Sequence, residues 1–143
     1  MTNLNPTIRV KLDDGAFPLV RCHATDAGAD IRTPVRFKLP MRGSAVIHTG
    51  VHVQLPPNTV GMLKSKSGLH VRSGITSEGV IDEGYTGEIV VRLENYGDYS
   101  YIFERGDKIT QLVVMPVAYP TFVEVDEIGG GERGDDGFGS TGR

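Results

Sequence analysis

"GVIDEGYTGEI", residues 79–89, sets a glycine-punctuated turn between two β-branched runs and places a carboxylate, Asp82, and a ring, Tyr85, where neither can be fully buried. Beyond it, Ile89, Val91 and Leu93 alternate with Val90 and Arg92, the two-residue period of a strand covered on one face. The period recurs elsewhere: Ile8, Val10 and Leu12 against Arg9 and Lys11; Val35, Phe37 and Leu39 against Arg36 and Lys38; Val51, Val53 and Leu55 against His52 and Gln54. These segments are expected to be half-buried strands. Turn residues separate them at short intervals, around Pro40–Gly43, Pro56–Asn58, Asn95–Asp98 and Arg105–Asp107, which predicts a sandwich or barrel. No window of a dozen residues holds a helical period free of Gly or Pro, so helix is limited to a short turn after Ser67. The run "ITQLVVMPV", 109–117, reads as a strand covered on both faces, with another subunit able to supply the second cover. Pro116 within it belongs at a bulge, an edge or a strand end.

At 143 residues the chain suits one domain. Residues 1–128 are expected to form it. The tail, residues 129–143, "GGGERGDDGFGSTGR", holds seven glycines and too little apolar surface to order itself, so it is expected to be a flexible arm. Phe138 is out of place in a solvated linker. A net charge of -3 argues against general nucleic-acid binding but leaves room for a small anion held by a few converging cations. Lys64, Lys66, Arg72, Arg105, Lys108 and Arg133 are the candidates. No run approaches the roughly 20 apolar residues that span a bilayer, and the polar start lacks a signal-peptide core. A single cysteine, Cys22, suits a reducing compartment, so the expected location is cytoplasmic, with no membrane partner.

The residues suggest chemistry before any relative is considered. At a splayed hairpin mouth, exposed backbone N–H and C=O groups can imitate a base-pairing edge, and Gly79, Val80, Ile81 and Val90 are the candidate contacts. A tyrosine ring packed on the sugar leaves no room for a 2'-hydroxyl. Asp82 is a carboxylate able to accept a proton from water; the plainer role is an Asx-type turn residue. In "SKSGL", 65–69, the Ser67 hydroxyl, the Gly68 N–H and the Lys66 cation suit phosphate oxygens, or form an ordinary polar loop. His48 and His52 do not have zinc-site spacing and read as a satisfied or exposed pair.

Five segments in order, "DAGADI" (26–31), "SKSGL" (65–69), "GVIDEGYTGEI" (79–89), "GDKITQLV" (106–113) and "RGDDGFGSTG" (133–142), resemble the motifs of the trimeric dUTPases. The second departs from the commoner Pro-Arg-Ser-Gly-Leu-Ala: Ser65, Lys66 and His70 stand for proline, arginine and alanine. The resemblance implies an all-β, β-clip or jelly-roll-like barrel that hydrolyses dUTP to dUMP and pyrophosphate. It assigns Asp82 to the attacking water, Gln111 to the outer phosphates, and Asp30 to an outer shell around the motif-two cation or the waters of a metal. It further implies Mg2+ carried on phosphate oxygens, a homotrimer with shared sites, and a neighbour's arm that closes with Arg133, Phe138 and Gly139 over the nucleotide. A dUTP-gated regulatory protein and the related dCTP deaminase are the alternatives.

Overall fold

A computed structural model describes residues 5–142; the first four residues of the polar start, and Arg143 at the end of the tail, lie outside them. Ten strands and one helix follow in the order β1 (Arg9–Leu12), β2 (Gly28–Arg32), β3 (Phe37–Leu39), β4 (Ser44–His48), β5 (Val51–Gln54), β6 (Thr59–Lys64), α1 (Ser67–Ser73), β7 (Ile75–Ile81), β8 (Val90–Asn95), β9 (Tyr101–Phe103) and β10 (Lys108–Pro116). A curled antiparallel sheet runs β2-β10-β6-β7-β8-β4, and two-stranded ribbons, β1-β5 and β3-β9, complete it.

The core is aliphatic. Val51, Val53 and Leu55 from one segment and Ile89, Val91 and Leu93 from another meet Ile31, Leu63, Ile75, Ile109 and Leu112, all buried. Phe103 closes one end, stacked on Phe37 at 4.9 Å between ring centres. Burial of this apolar surface drives the fold. α1 is the sole helix among the described residues; Gly74, at φ 67°, terminates it and donates its N–H to the His70 carbonyl.

Several expectations need correction. Val10 and Leu12 are 42% and 39% exposed, because β1 pairs with β5 at the margin and Val10 borders an open cleft with Leu19, Leu112 and Val114 instead of entering the core. Val35 is exposed and precedes β3: Pro34 and a turn in which the Thr33 hydroxyl accepts the Val35 N–H hold it out of the ladder. In β10, Ile109, Thr110 and Leu112 are buried, whereas Val113 and Val114 are half-buried and Met115 is exposed, so the second face is only partly covered. Pro116 falls at the strand end, where its missing N–H costs no interior ladder bond. The helix is seven residues long rather than a single turn.

Candidate active site

The end of the β6–β7 ladder nearest α1 is held by side chains. Beyond the Lys64↔Glu78 pair, the Ser65 hydroxyl accepts the Ser77 N–H at 3.0 Å and donates to its carbonyl at 3.3 Å, a closure that proline at 65 could not make. Thr110 bonds both the Ser77 hydroxyl (2.7 Å) and the Lys64 carbonyl (3.0 Å). Gln111, half-buried on β10, donates Nε2 to the Ser65 carbonyl at 2.9 Å, so it does not simply face solvent. The backbone leaving this clamp carries Lys66 and then the exposed Ser67 and Gly68, with open space above Gly68.

Asp30 is the charge centre of this end. It lies opposite Gln111 on β2, is 4% exposed, and is engaged by two ammonium groups: Lys66 on Oδ1 and Lys108 on Oδ2 at 3.1 Å. Burial pushes its carboxyl up, but the hydrogen bonds and charges of the two lysines outweigh this and hold it below the usual carboxylate range. One anion against two lysines leaves net positive charge. Arg72 of α1 joins them along a cleft of about 280 Å³, which Tyr101 also lines.

At its other end β7 parts from β8. The two pair only over Ile75↔Asn95, Thr76↔Glu94 and Ser77↔Leu93. Thereafter β7 follows β6, to Gly61↔Ile81, while β8 follows β4, and Ile89 exchanges backbone bonds with Val51 and Thr49. The hairpin is thereby opened. Past Ser77, one edge of β7 has no strand beside it among the described residues. Val80 and Val90 stand exposed at 60% and 41% on the two lips, and Gly79 is half-buried. Ile81 turns its side chain into the core, so only its backbone can face the mouth.

Asp82 follows immediately. Its backbone carbonyl accepts the Tyr85 N–H at 3.0 Å, so backbone alone closes the turn and no Asx bond is made. The carboxylate is exposed and has no hydrogen bond or ion pair among the described residues. Its neighbour Glu83 is committed instead, accepting the Asn58 N–H at 2.6 Å and the Tyr119 hydroxyl at 2.9 Å. The Glu83 carboxylate raises the Tyr119 phenol above its usual range. A cleft of about 320 Å³ lies here, lined by Asp82, Gly84, Val60 and Tyr119. The Tyr85 ring folds back over Gly87 and donates its hydroxyl to the Glu88 carbonyl at 2.7 Å.

The structure therefore gathers the sequence-predicted residues into separate groups. Asp30, Lys66, Ser67, Gly68 and Gln111 sit at one end of β7, and Gly79 to Tyr85 with Val90 at the other. From Ser77 to Asp82 the extended chain covers about 16 Å. Residues 118–142 are exposed throughout and form no strand or helix. Arg133 donates to the Gly137 carbonyl at 2.7 Å, Phe138 is fully exposed, and among the described residues the backbone bonds of residues 137–142 are local. His48 and His52 are each satisfied on separate carboxylates, Glu88 and Asp13. Sequence reading counted Lys108 among loose cations and missed it as the second partner of Asp30. It also missed the Ser65–Ser77–Thr110 hydroxyls. Their signal lies in the β2–β10–β6 register, which no local pattern encodes.

Fold and site define an all-β, jelly-roll-like domain that opens a hairpin at one end of a ladder and presents a cationic serine-glycine loop at the other. A family model for dUTPase matches residues 18–142, and the chain belongs to the dUTPase family. A deoxyuridine 5'-triphosphate nucleotidohydrolase of Clostridium kluyveri is 42% identical over 123 residues, 84% of this chain and 86% of its own length. That of Tropheryma whipplei is 40% identical over 141 residues, 96% of each. Among solved structures, a Staphylococcus bacteriophage 80alpha dUTPase with dUpNHpp, from work describing phage dUTPases as controlling transfer of virulence genes by a proto-oncogenic G protein-like mechanism, matches with TM-score 0.88 at 32% identity, over 97% of this chain and 100% of that one. A mutant dUTPase of S. aureus phage phi11, described as revealing the coordination of a structural Mg(II) ion, matches at TM-score 0.78 and 30% identity, over 85% and 98%.

Proposed function

We propose that the chain hydrolyses dUTP to dUMP and pyrophosphate in sites built between copies of itself, by in-line attack of water on the α-phosphorus. The separation along β7 carries this reading. Phosphates seated on Ser67 and Gly68 cannot also lie beside Asp82 of the same chain, because the intervening ladder is longer than a triphosphate. An assembly that sets the open hairpin of one copy against the cationic loop of the next restores the site. A homotrimer, as the dUTPase resemblance implies, does so with three equal contacts. Phe122, Val123, Val125 and Ile128 support it, exposed from 56% to 94% on a segment that would bury them only against a neighbour.

Within that site the backbone edge of Gly79 to Ile81 reads the uracil between Val80 and Val90, and the Tyr85 ring excludes a 2'-hydroxyl. Asp82, with no partner among the described residues, orients the water and takes its proton. Ser67, Gly68 and Gln111 hold the outer phosphates, and Lys66 lends charge from its place on Asp30. Arg133, Phe138 and Gly139 close over the nucleotide from a neighbour's arm, with residues 1–128 acting as the body and 129–143 as the arm. Among the described residues no three His, Cys, Asp or Glu side chains cluster for a metal, and both Asp30 oxygens already face lysines. Mg2+ fits as an ion held by the phosphates, where it supplies neutralising charge for the departing pyrophosphate. A cytoplasmic setting suits the exposed, unpaired Cys22.

The test is subunit mixing. Asp82→Asn chains and Lys66→Ala/Ser67→Ala chains, each inactive alone, are unfolded together and reassembled one to one. Random trimers then carry about a quarter of their sites with both intact halves, and pyrophosphate release should recover to about that fraction. A mixture no more active than its parents would place each site within one chain. A second reading, in which bound dUTP gates a partner, is favoured by the description of the phage 80alpha relatives. Saturating dUTP with Mg2+ that is bound but yields no dUMP would leave that reading alone.

A further inference from the structure

We infer that His52 is a positioning residue for the substrate-facing turn over residues 85–88, fixing it from behind only when both ring nitrogens carry protons. The inference rests on the proposal that Tyr85 and its turn face the nucleotide.

His52 Nδ1 lies 3.0 Å from the Thr86 carbonyl and Nε2 lies 3.0 Å from the Asp13 carboxylate. Both are acceptors, so each needs an N–H, and a neutral imidazole has only one. The imidazolium alone makes both bonds. It thereby ties the Tyr85 turn to the N-terminal segment, which is itself anchored by the Asp13 N–H on the Gly50 carbonyl at 2.8 Å. A second tether runs alongside: His48 Nδ1 reaches Glu88 at 2.6 Å, and the same carboxylate accepts the Gly50 N–H at 3.2 Å. One proton on His48 suffices there, so the demand for two is particular to His52.

The charges around the ring are few. Lys11 lies directly across the β1–β5 pair from His52 and 3.9 Å from Asp13, opposing protonation weakly. Glu88 is occupied by His48, and Glu83, on the same turn, by Asn58 and Tyr119. The Asp13 hydrogen bond first, and the Thr86 carbonyl after it, raise His52 above the usual histidine range. With the folded-state value raised, the tether is complete at low pH and is lost as pH rises through that value.

The experiment is initial-rate kinetics with dUTP and UTP from about pH 5 to about pH 9, which spans the range in which histidines titrate. It compares the full chain with His52→Gln, Asp13→Asn and Tyr85→Ala. In the parent protein KM for dUTP should rise about fivefold across the upper limb, the worth of one net hydrogen bond, while kcat does not follow the same midpoint. His52→Gln should sit at the high KM throughout, and Asp13→Asn should move the midpoint to lower pH. 1H–15N NMR of the nucleotide-free protein supplies a readout independent of turnover: the Gly87 amide should titrate with the His52 ring. A parent-like pH profile in His52→Gln, or a Gly87 amide indifferent to the ring, overturns the inference. If Tyr85→Ala leaves the dUTP over UTP preference intact, the reading of the turn has failed and His52 falls with it. If Tyr85→Ala abolishes the preference while His52→Gln keeps the parent profile, His52 alone is wrong.

Discussion

The two ends of β7 are built in opposite ways. At Ile75–Ser77 nearly every polar group is spoken for: Ser77 by Ser65 and Thr110, the Ser65 carbonyl by Gln111, Asp30 by two lysines. At Ile81–Tyr85 the free edge of the strand and the Asp82 carboxylate have no partner among the described residues, and the turn beyond is tied back through His48 and His52. A clamped end can hold a polyanion whose shape never varies. An end with free groups can read a base and activate a water, because groups already bonded to protein would first have to be released.

The contrast is tested hardest at Asp82. Asp82→Asn removes the proton acceptor while keeping shape, so turnover should fall by about 10²- to 10⁴-fold with dUTP affinity held within about tenfold. Pyrophosphate release and equilibrium binding, measured in parallel, check it. Near-normal turnover would mean that the free carboxylate is an idle surface group and that the chemistry resides at the clamped end.

Asp30 probes that clamped end and should show stability rather than catalysis as its main cost. Asp30→Asn leaves Lys66 and Lys108 facing a neutral amide, and the loss should be about 2 kcal/mol at neutral pH, in the range for an uncompensated buried polar group. Because the folded carboxyl is held below its ordinary value of 3.8, its contribution is present above that value and disappears as pH falls through the lower one. Urea unfolding at fixed protein concentration should therefore show a gap between parent and variant that narrows below about pH 4. A gap that persists unchanged in acid would remove the ionised carboxylate from the argument.

What could be read from sequence follows the same division. The strict alternation of Val51–Leu55 and Ile89–Leu93 was legible because each strand covers a core inside its own chain. Val10 and Leu12 alternate equally well, yet periodicity shows only which face is apolar and not how fully it is covered. β2 and β7 were legible as motifs but not as strands: glycines and polar residues interrupt them, and long-range pairing holds them. The motifs likewise named candidate residues at both ends of β7 while giving no hint of the distance between them. That distance comes from β7 leaving β8 for β6 after Ser77, a choice settled by register across strands remote in sequence.

The smallest effect is expected at Gly87, where the open end borrows a little rigidity. A Cβ at 87 would lie 2.6 Å from the Tyr85 hydroxyl and 2.7 Å from the ring carbon bearing it, closer than atoms can pack. The ring is the mobile end of its side chain, so Gly87→Ala should swing it aside and break its bond to Glu88 at a cost of only about 1 kcal/mol in stability. The preference for dUTP over UTP should nevertheless fall about fivefold, because a displaced ring no longer crowds the sugar. Tyr85→Phe separates the two causes, since it loses the hydroxyl bond but leaves the ring where Gly87 allows it to lie. If ring placement rejects the 2'-hydroxyl, Tyr85→Phe keeps most of the preference that Gly87→Ala loses. Equal losses in both variants would transfer the discrimination to the hydroxyl bond and the Glu88 carbonyl, and an intact preference in Gly87→Ala would remove the ring from sugar selection.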